Sequence, residues 1–387
     1  MKKTVTIVVL NLFLGISLFA QTGKQALIQK QNQKQGDGFT IGKNNPATSV
    51  KNQARTGTCW SFSTTSLLES QFLRYNKTDI DLSEMFTVYN MYMEKAKNYV
   101  LRQGHTQFGE GGLGHDVIRS IATYGAMPES VFSGLRNGET SLNHAKLIIQ
   151  LKDYLDNVLK STPIDPTWID GYKKILDENI GVPPAEFEIN GKKYTPRTYA
   201  TDVLKFRSDD YVNLTSFTHH PFFSPFILEV PDNFSNGNYY NIPMNDMMQV
   251  VKNAINKGFT VLWDADVSNS GFMSGNGLGL FVNRDAEEKA TALAVTADTQ
   301  EQEWNVALRQ KLFENLTTQD DHLMHITGIE KSKGGKTFFI VKNSWGVSGP
   351  YDGFVNVSEA YFAINTVSLV VPKEAIDKIL LMKLGIK

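Results

Sequence analysis

A single cysteine in 387 residues decides how this chain can be held together. No internal disulfide can form, so the fold must rest on buried apolar surface and hydrogen bonds. The apolar supply is ample, with 41% of residues hydrophobic and 11% aromatic. Yet the chain opens on MKKTVTIVVLNLFLGISLFA: two lysines, an apolar stretch from Val5 to Phe19, then Ala20. That is the order of a secretory signal peptide. The run is interrupted by Asn11 and falls short of the ~20 residues that span a bilayer, and no later segment is apolar enough to cross one. The expectation is an exported protein, periplasmic or extracellular, with no membrane contact once residues 1–20 are removed. In an oxidising compartment an odd thiol is a liability unless its chemistry is used. The stretch that carries it is QARTGTCWSFS, residues 53–63.

Residues 21–38, rich in Gln, Lys and Gly, read as an exposed arm. A helix starts near Cys59, with Trp60, Phe62, Leu67, Leu68 and Phe72 at turn-compatible spacing. The glycine-rich turn GEGGLG, residues 109–114, leads into a second helical pattern over 115–124. From about 140 to 245 helical patterns (142–160, 170–180, 196–206) alternate with Pro-containing turns and one hairpin signal, Asn190-Gly191. A helix over 246–257 and a buried strand over 259–263 follow, then a charged helical patch over 286–316. The last third reads as strands at 322–329, 337–342, 353–357 and 366–371, closed by an amphipathic helix over 373–384. Helices first and strands last predict an α+β protein with segregated lobes. The domain is expected over 39–387, with a helical insertion at 140–245 and a β lobe at 259–372.

A thiol attacks as thiolate, and a free pKa of ~8.5 leaves only a few per cent ionised near neutrality. The start of a helix lowers that value, and Cys59 is placed for it. A nearby imidazolium lowers it further and must come from elsewhere in the chain, aimed by a polar side chain. His105 and His115 lie near the glycine turn; His144, His219 and His220 fall in the middle region; His322 and His325 open the strand lobe. From His325, alternation puts Thr327 and Ile329 on its own face, and a strand end holds an imidazole rigidly at a cleft rim. Asn343 follows at the end of the next strand, where its amide would orient His325 and Trp345 would shield that bond from water. His322, beside Asp320 and Asp321, is the alternative base.

Gln53, Cys59-Trp60, Gly111-Gly112, Leu-Met-His325 and Asn343-Ser-Trp-Gly346, in that order, resemble the papain-like cysteine peptidases. The long spacing from Cys59 to His325, GVPPAEF (181–187) and DDHLMH (320–325) resemble their bleomycin hydrolase/aminopeptidase C branch. The resemblance spans about residues 38–380 and implies a papain-like two-lobed fold with a helical insertion. It also implies a Cys-His-Asn site working through an acyl-enzyme. Carried over residue by residue, it makes Cys59 the nucleophile in a thiolate–imidazolium pair with His325, and Asn343 the group holding the ring. The Gln53 side-chain N–H and the Cys59 backbone N–H would face the oxyanion. Gly111 and Gly112, with Trp345, would line the peptide cleft. Two departures stand out: Thr56 occupies a position where secreted papains place a disulfide cysteine, and Ile326 is bulkier than the small residue the family places after its histidine.

Other chemistries find little support. Net charge is −1, which offers nucleic acid no basic surface. No HExxH or paired CxxC spacing points to a metal, GNGLG (275–279) lacks the strand–turn–helix frame of a dinucleotide site, and no cofactor is expected. The partners are peptides, and family resemblance implies a homo-hexamer. In that branch a C-terminal tail lying in the cleft holds the substrate's amine, whereas this chain ends in ILLMKLGIK, with a positive Lys387. Three functions stay in view: a thiol aminopeptidase, an endopeptidase with an open cleft, and a peptide-binding protein with the same fold. Acyl transfer to an amine is open to the same residues.

Overall fold

The computed structural model describes residues 38–136, 138–282 and 295–387. The expected export signal, the polar arm up to residue 37 and the start of the charged patch at 286–316 lie outside them. The helical lobe comes first: α1 (Cys59–Asn76), α2 (Glu84–Leu101), α3 (Gly114–Tyr124), α4 (Ala145–Val158) and α5 (Trp168–Ile180). Every residue of α1 from Cys59 to Gln71 is buried. A helix enclosed on all sides shows no clean apolar stripe, and α1 fills its contacts with small hydroxyl residues bonded outward. Ser61 Oγ donates to Glu84 O, Ser63 Oγ to Leu323 O and Ser70 Oγ to Pro46 O. Helix α2 had no counterpart among the sequence expectations; its Ser83 N-cap accepts from Phe86 N–H.

The expected insertion contains α4 and α5, tied back to α2 by Tyr172 Oη donating to Tyr92 O and Tyr99 Oη to Asp156. It also holds the expected hairpin, β2 (Phe187–Ile189) and β3 (Lys192–Tyr194), turned at Asn190 and Gly191 with φ of 51° and 78°. It is not purely helical. Strands β4 (Tyr211–Thr215), β5 (Pro225–Ile227) and β6 (Asn238–Asn241) join the main sheet, β4 pairing with β13 (Thr366–Pro372). Helix α6 (Met244–Asn256) and strand β7 (Val261–Ala265) follow, with α7 (Val306–Glu314) further on.

The sheet runs β5-β6-β4-β13-β7-β10-β11-β12-β9-β8 and carries β10 (His322–Ser332), β11 (Thr337–Lys342) and β12 (Phe354–Ser358). Strand β1 (Phe39–Asn44) pairs with β10 from outside this path. The short strands β8 and β9 are Phe272–Met273 and Leu278–Gly279. Alternation divides each strand between two cores. Leu262, Leu323 and Val370 face the helical lobe. Val261, Trp263, Met324, Ile326 and Leu369 face the second core, under α6 and α8 (Glu359–Asn365). Gly114, at the start of α3, shows how tightly the lobes meet: a Cβ there would stand 2.2 Å from Leu262 Cδ2. The chain closes on α9 (Lys378–Lys383), and no described helix is long and apolar enough to cross a membrane.

Candidate active site

Cys59 is the first residue of α1, with only 8% of its surface exposed. The Thr58 hydroxyl does not cap the helix; it turns to Thr56 Oγ1 at 2.5 Å. The helix start therefore keeps its positive end open beside the thiol. The backbone N–H of Leu323 also reaches the sulfur. The residue before Leu323 is His322, and its Nε2 lies 2.7 Å from Asn343 Oδ1. That same Oδ1 accepts from Ser344 N–H at 2.7 Å, which fixes it as the oxygen. His322 Nε2 must then be the donor, and Nδ1 carries the lone pair. Trp345 stacks on the imidazole with centroids 4.6 Å apart and planes 27° apart, and Phe272 meets Trp345 edge-on.

The ring oriented by Asn343 is thus that of His322, and the expectation for His325 is corrected. His325 sits further along the helix, its Nδ1 2.9 Å from Ser66 Oγ. Ser66 is seven residues beyond Cys59, roughly 10 Å at 1.5 Å per residue. Ser66 Oγ also accepts from Lys342 Nζ at 2.7 Å. Burial and the adjacent Lys342 charge hold His325 neutral, well below its ordinary value. It is a packing histidine between helix and sheet. The register explains the displacement: His325 pairs with Lys342 in β11, and an irregularity falls between Ile326 and Gly328. Continued one strand position at a time, that register sets His322 opposite Trp345. The bulky residue following the ring is therefore Leu323, not Ile326.

Gln53 is locked beside this pair. Its Oε1 accepts from Ser344 Oγ at 2.6 Å and its Nε2 donates to Thr56 O at 2.7 Å, leaving the second N–H of the amide. Gly112 packs against the Trp60 indole, 3.0 Å from where a Cβ would stand, while Trp60 Nε1 donates to Glu110 O. Gly111 is covered: the Asp232 carboxylate lies 1.8 Å from the position of a Cβ there. Asp232, on the loop between β5 and β6, carried no sequence signal, because nothing in its spacing ties it to residue 111.

The electrostatics oppose charge on either group taken alone. Burial pushes the Cys59 thiol up to about 12, with Asp320, Asp264 and Asp232 adding to it and the Leu323 N–H opposing. Burial takes His322 down to about 4, partly offset by Asn343. A proton passed from sulfur to ring charges both at once and leaves the site's net charge unchanged. The attraction between the new charges, ~4 kcal/mol at 4 Å for an effective dielectric of 20, offsets part of the cost of charging each group.

Comparison with known proteins agrees with this architecture. Residues 174–385, more than half of the chain, match the model of the Peptidase C1-like family, and residues 37–95 match that of the papain family cysteine proteases. Aminopeptidase G of Lactobacillus delbrueckii subsp. lactis is 24% identical over 383 residues, covering 86% of this chain and 83% of the relative. Aminopeptidase C of Lactobacillus helveticus is 22% identical over 372 residues, covering 84% and 80%. The crystal structure of PepW from Lactobacillus rhamnosis HN001 superposes with a TM-score of 0.71 at 18% identity, covering all of this chain and 96% of that one. The fold is the papain-like α+β fold expected from the sequence, and the chain belongs to the Peptidase C1-like family of cysteine-type peptidases.

Proposed function

We propose that the protein is an exported cysteine aminopeptidase acting through Cys59, His322 and Asn343. The thiol proton passes to His322 Nδ1, and the thiolate attacks the scissile carbonyl to give an acyl-enzyme. The second N–H of Gln53 and the backbone N–H of Cys59 receive the oxyanion. His322 then protonates the leaving amine and, as base, activates water against the thioester. Asn343 keeps Nε2 as donor throughout, and Trp345 keeps water from that bond.

The observation that carries this reading is the 2.7 Å bond from His322 to Asn343, stacked under Trp345 and one residue from the amide that meets the Cys59 thiol. The aminopeptidases among its relatives favour exopeptidase action, as does the carboxylate lying over Gly111. The test is Cys59→Ala beside wild type on free and N-acetylated peptides, reading the cleavage position by mass spectrometry. Release of N-terminal residues by wild type alone supports the reading. Rapid internal cleavage of blocked peptides would make the enzyme an endopeptidase. No cleavage, with a thiol inert to iodoacetamide, would leave a peptide-binding protein. Export through residues 1–20 is read by cell fractionation and the N-terminal sequence of the mature protein, with an uncleaved cytoplasmic chain refuting it. The hexamer implied by family resemblance is read by sedimentation, where a monomer removes it.

A further inference from the structure

The leaving amine must lie against His322, which protonates it, so the acyl side of a substrate runs the other way, past Gly111 and Gly112. Three carboxylates wait on that side. Asp264 stands directly across from Leu323 in the β7–β10 ladder, with 1% of its surface exposed. Ser368 Oγ donates to its Oδ2 at 2.9 Å, while its Oδ1 has no donor. Asp320, two residues before His322, lies within hydrogen-bonding reach of Asp264, and its Oδ2 is likewise inaccessible and without a donor. Two carboxyl groups bond to each other only by sharing a proton, and burial supplies the reason they keep one. Asp232 lies across Gly111, its Oδ1 taken by Gln107 Nε2 at 2.9 Å. Among the described residues the cation acting on Asp232 is Lys95, whose Nζ is already committed to the carbonyls of Gly109 and Gly111.

We propose that Asp232 and Asp320, the latter backed by Asp264, form the subsite that receives the substrate's free α-ammonium group, one residue from the bond to be cut. This rests on the aminopeptidase reading and deepens it. An ammonium brings three donors and one positive charge to three carboxyl groups that share one proton between two of them and keep excess negative charge. The chain's last residues do not contribute here. Leu384 is buried in the second core, across the sheet from this cleft, and Lys387 O accepts from Lys373 Nζ at 2.7 Å. Side-chain carboxylates from the insertion and from β7–β10 do the work instead. The same placement ties binding to reactivity, since an ammonium offsets the negative charge that disfavours the Cys59 thiolate.

The test compares leucine 4-methylcoumaryl-7-amide with its N-acetyl analogue on wild type, Asp232→Asn and Asp320→Asn, with active sites counted by iodoacetamide. The expected result is a wild-type preference for the free amine that falls about 10- to 100-fold in either variant, through loss of turnover on the free amine while turnover of the acetylated substrate holds or rises. Equal loss on both substrates, or an unchanged preference, overturns the proposal. Leucinamide should also slow alkylation of wild-type Cys59 saturably, and N-acetyl-leucinamide should not; equal protection by both overturns it without any variant. A wild type indifferent to the blocked amine defeats the aminopeptidase reading itself. A wild type that prefers the free amine while both variants keep that preference defeats only this subsite.

Discussion

Exchanging the roles of the two histidines in β10 is the sharpest test of the site. His322→Ala removes the ring whose Nε2 is held by Asn343 at 2.7 Å and the surface on which Trp345 stacks. Loss of a positioned acid–base typically costs 10²–10⁴-fold, about 3–5 kcal/mol of transition-state stabilisation. Here the same ring both takes the thiol proton and returns it to the leaving amine, so the larger figure is expected, in kcat rather than KM. His325→Ala has a different consequence. The ring contacts Ser66, roughly 10 Å along α1 from the sulfur, beyond the ~3 Å within which a base can act. Its removal leaves a cavity and strips Ser66 of a partner, costing about 2–4 kcal/mol of stability. The kcat should stay within about threefold of wild type at temperatures where the variant is folded. The assay is kcat/KM on a free-amine peptide amide beside urea unfolding of each variant. A His325 variant that folds normally but loses a hundredfold in kcat, beside an active His322 variant, would refute the reasoning.

Gln53→Ala should lower kcat by about 10²–10³-fold with little change in KM, as loss of one oxyanion donor does; an unchanged kcat removes Gln53 from the site. Glu330 is fully buried in β10, neither carboxylate oxygen has a partner, and burial lifts its carboxyl to about 8. A raised carboxyl pKa stabilises the fold below the unfolded value of ~4.3 and loses that contribution as pH climbs through about 8. Glu330→Gln should therefore gain stability over wild type by roughly 1 kcal/mol for each pH unit between 5 and 8. A gain that does not depend on pH in chemical unfolding would contradict this. The buried rings of His144 and His322 are each held down to about 4. Because the unfolded chain binds their protons first, their contribution is present above ~6.5 and lost as pH falls towards 4. His144→Gln should flatten the fall in melting temperature over that window, and an unchanged slope would count against it.

Much of this protein was legible before any coordinates. The lone cysteine ahead of Trp60 marks a helix start that α1 occupies, because the residues after it suit a buried helix and the thiol gains from its positive end. Short runs rich in apolar residues located β7, β10, β11, β12 and β13 to within a few residues, since a strand buried between two cores is apolar on both faces. Asn343 and Trp345 were legible as partners of a histidine. Which histidine was not. In the hairpin near its turn, Lys331 pairs with Thr337; carried on unbroken, that register sets residue 325 opposite Asn343. The irregularity between Ile326 and Gly328 slips the pairing by one residue, leaving Lys342 across from residue 325, and a one-residue slip moves every side chain to the other face. No local pattern announces such a slip; it arises where β10, paired with β11, passes from β7 (through Ile326) to β1 (from Gly328). The acids beside the cleft are tertiary in the same sense. Asp232, Asp264 and Asp320 lie far apart in the chain: the β7–β10 pairing brings Asp264 to Asp320, and the return of the insertion through β5 and β6 brings Asp232 to Gly111.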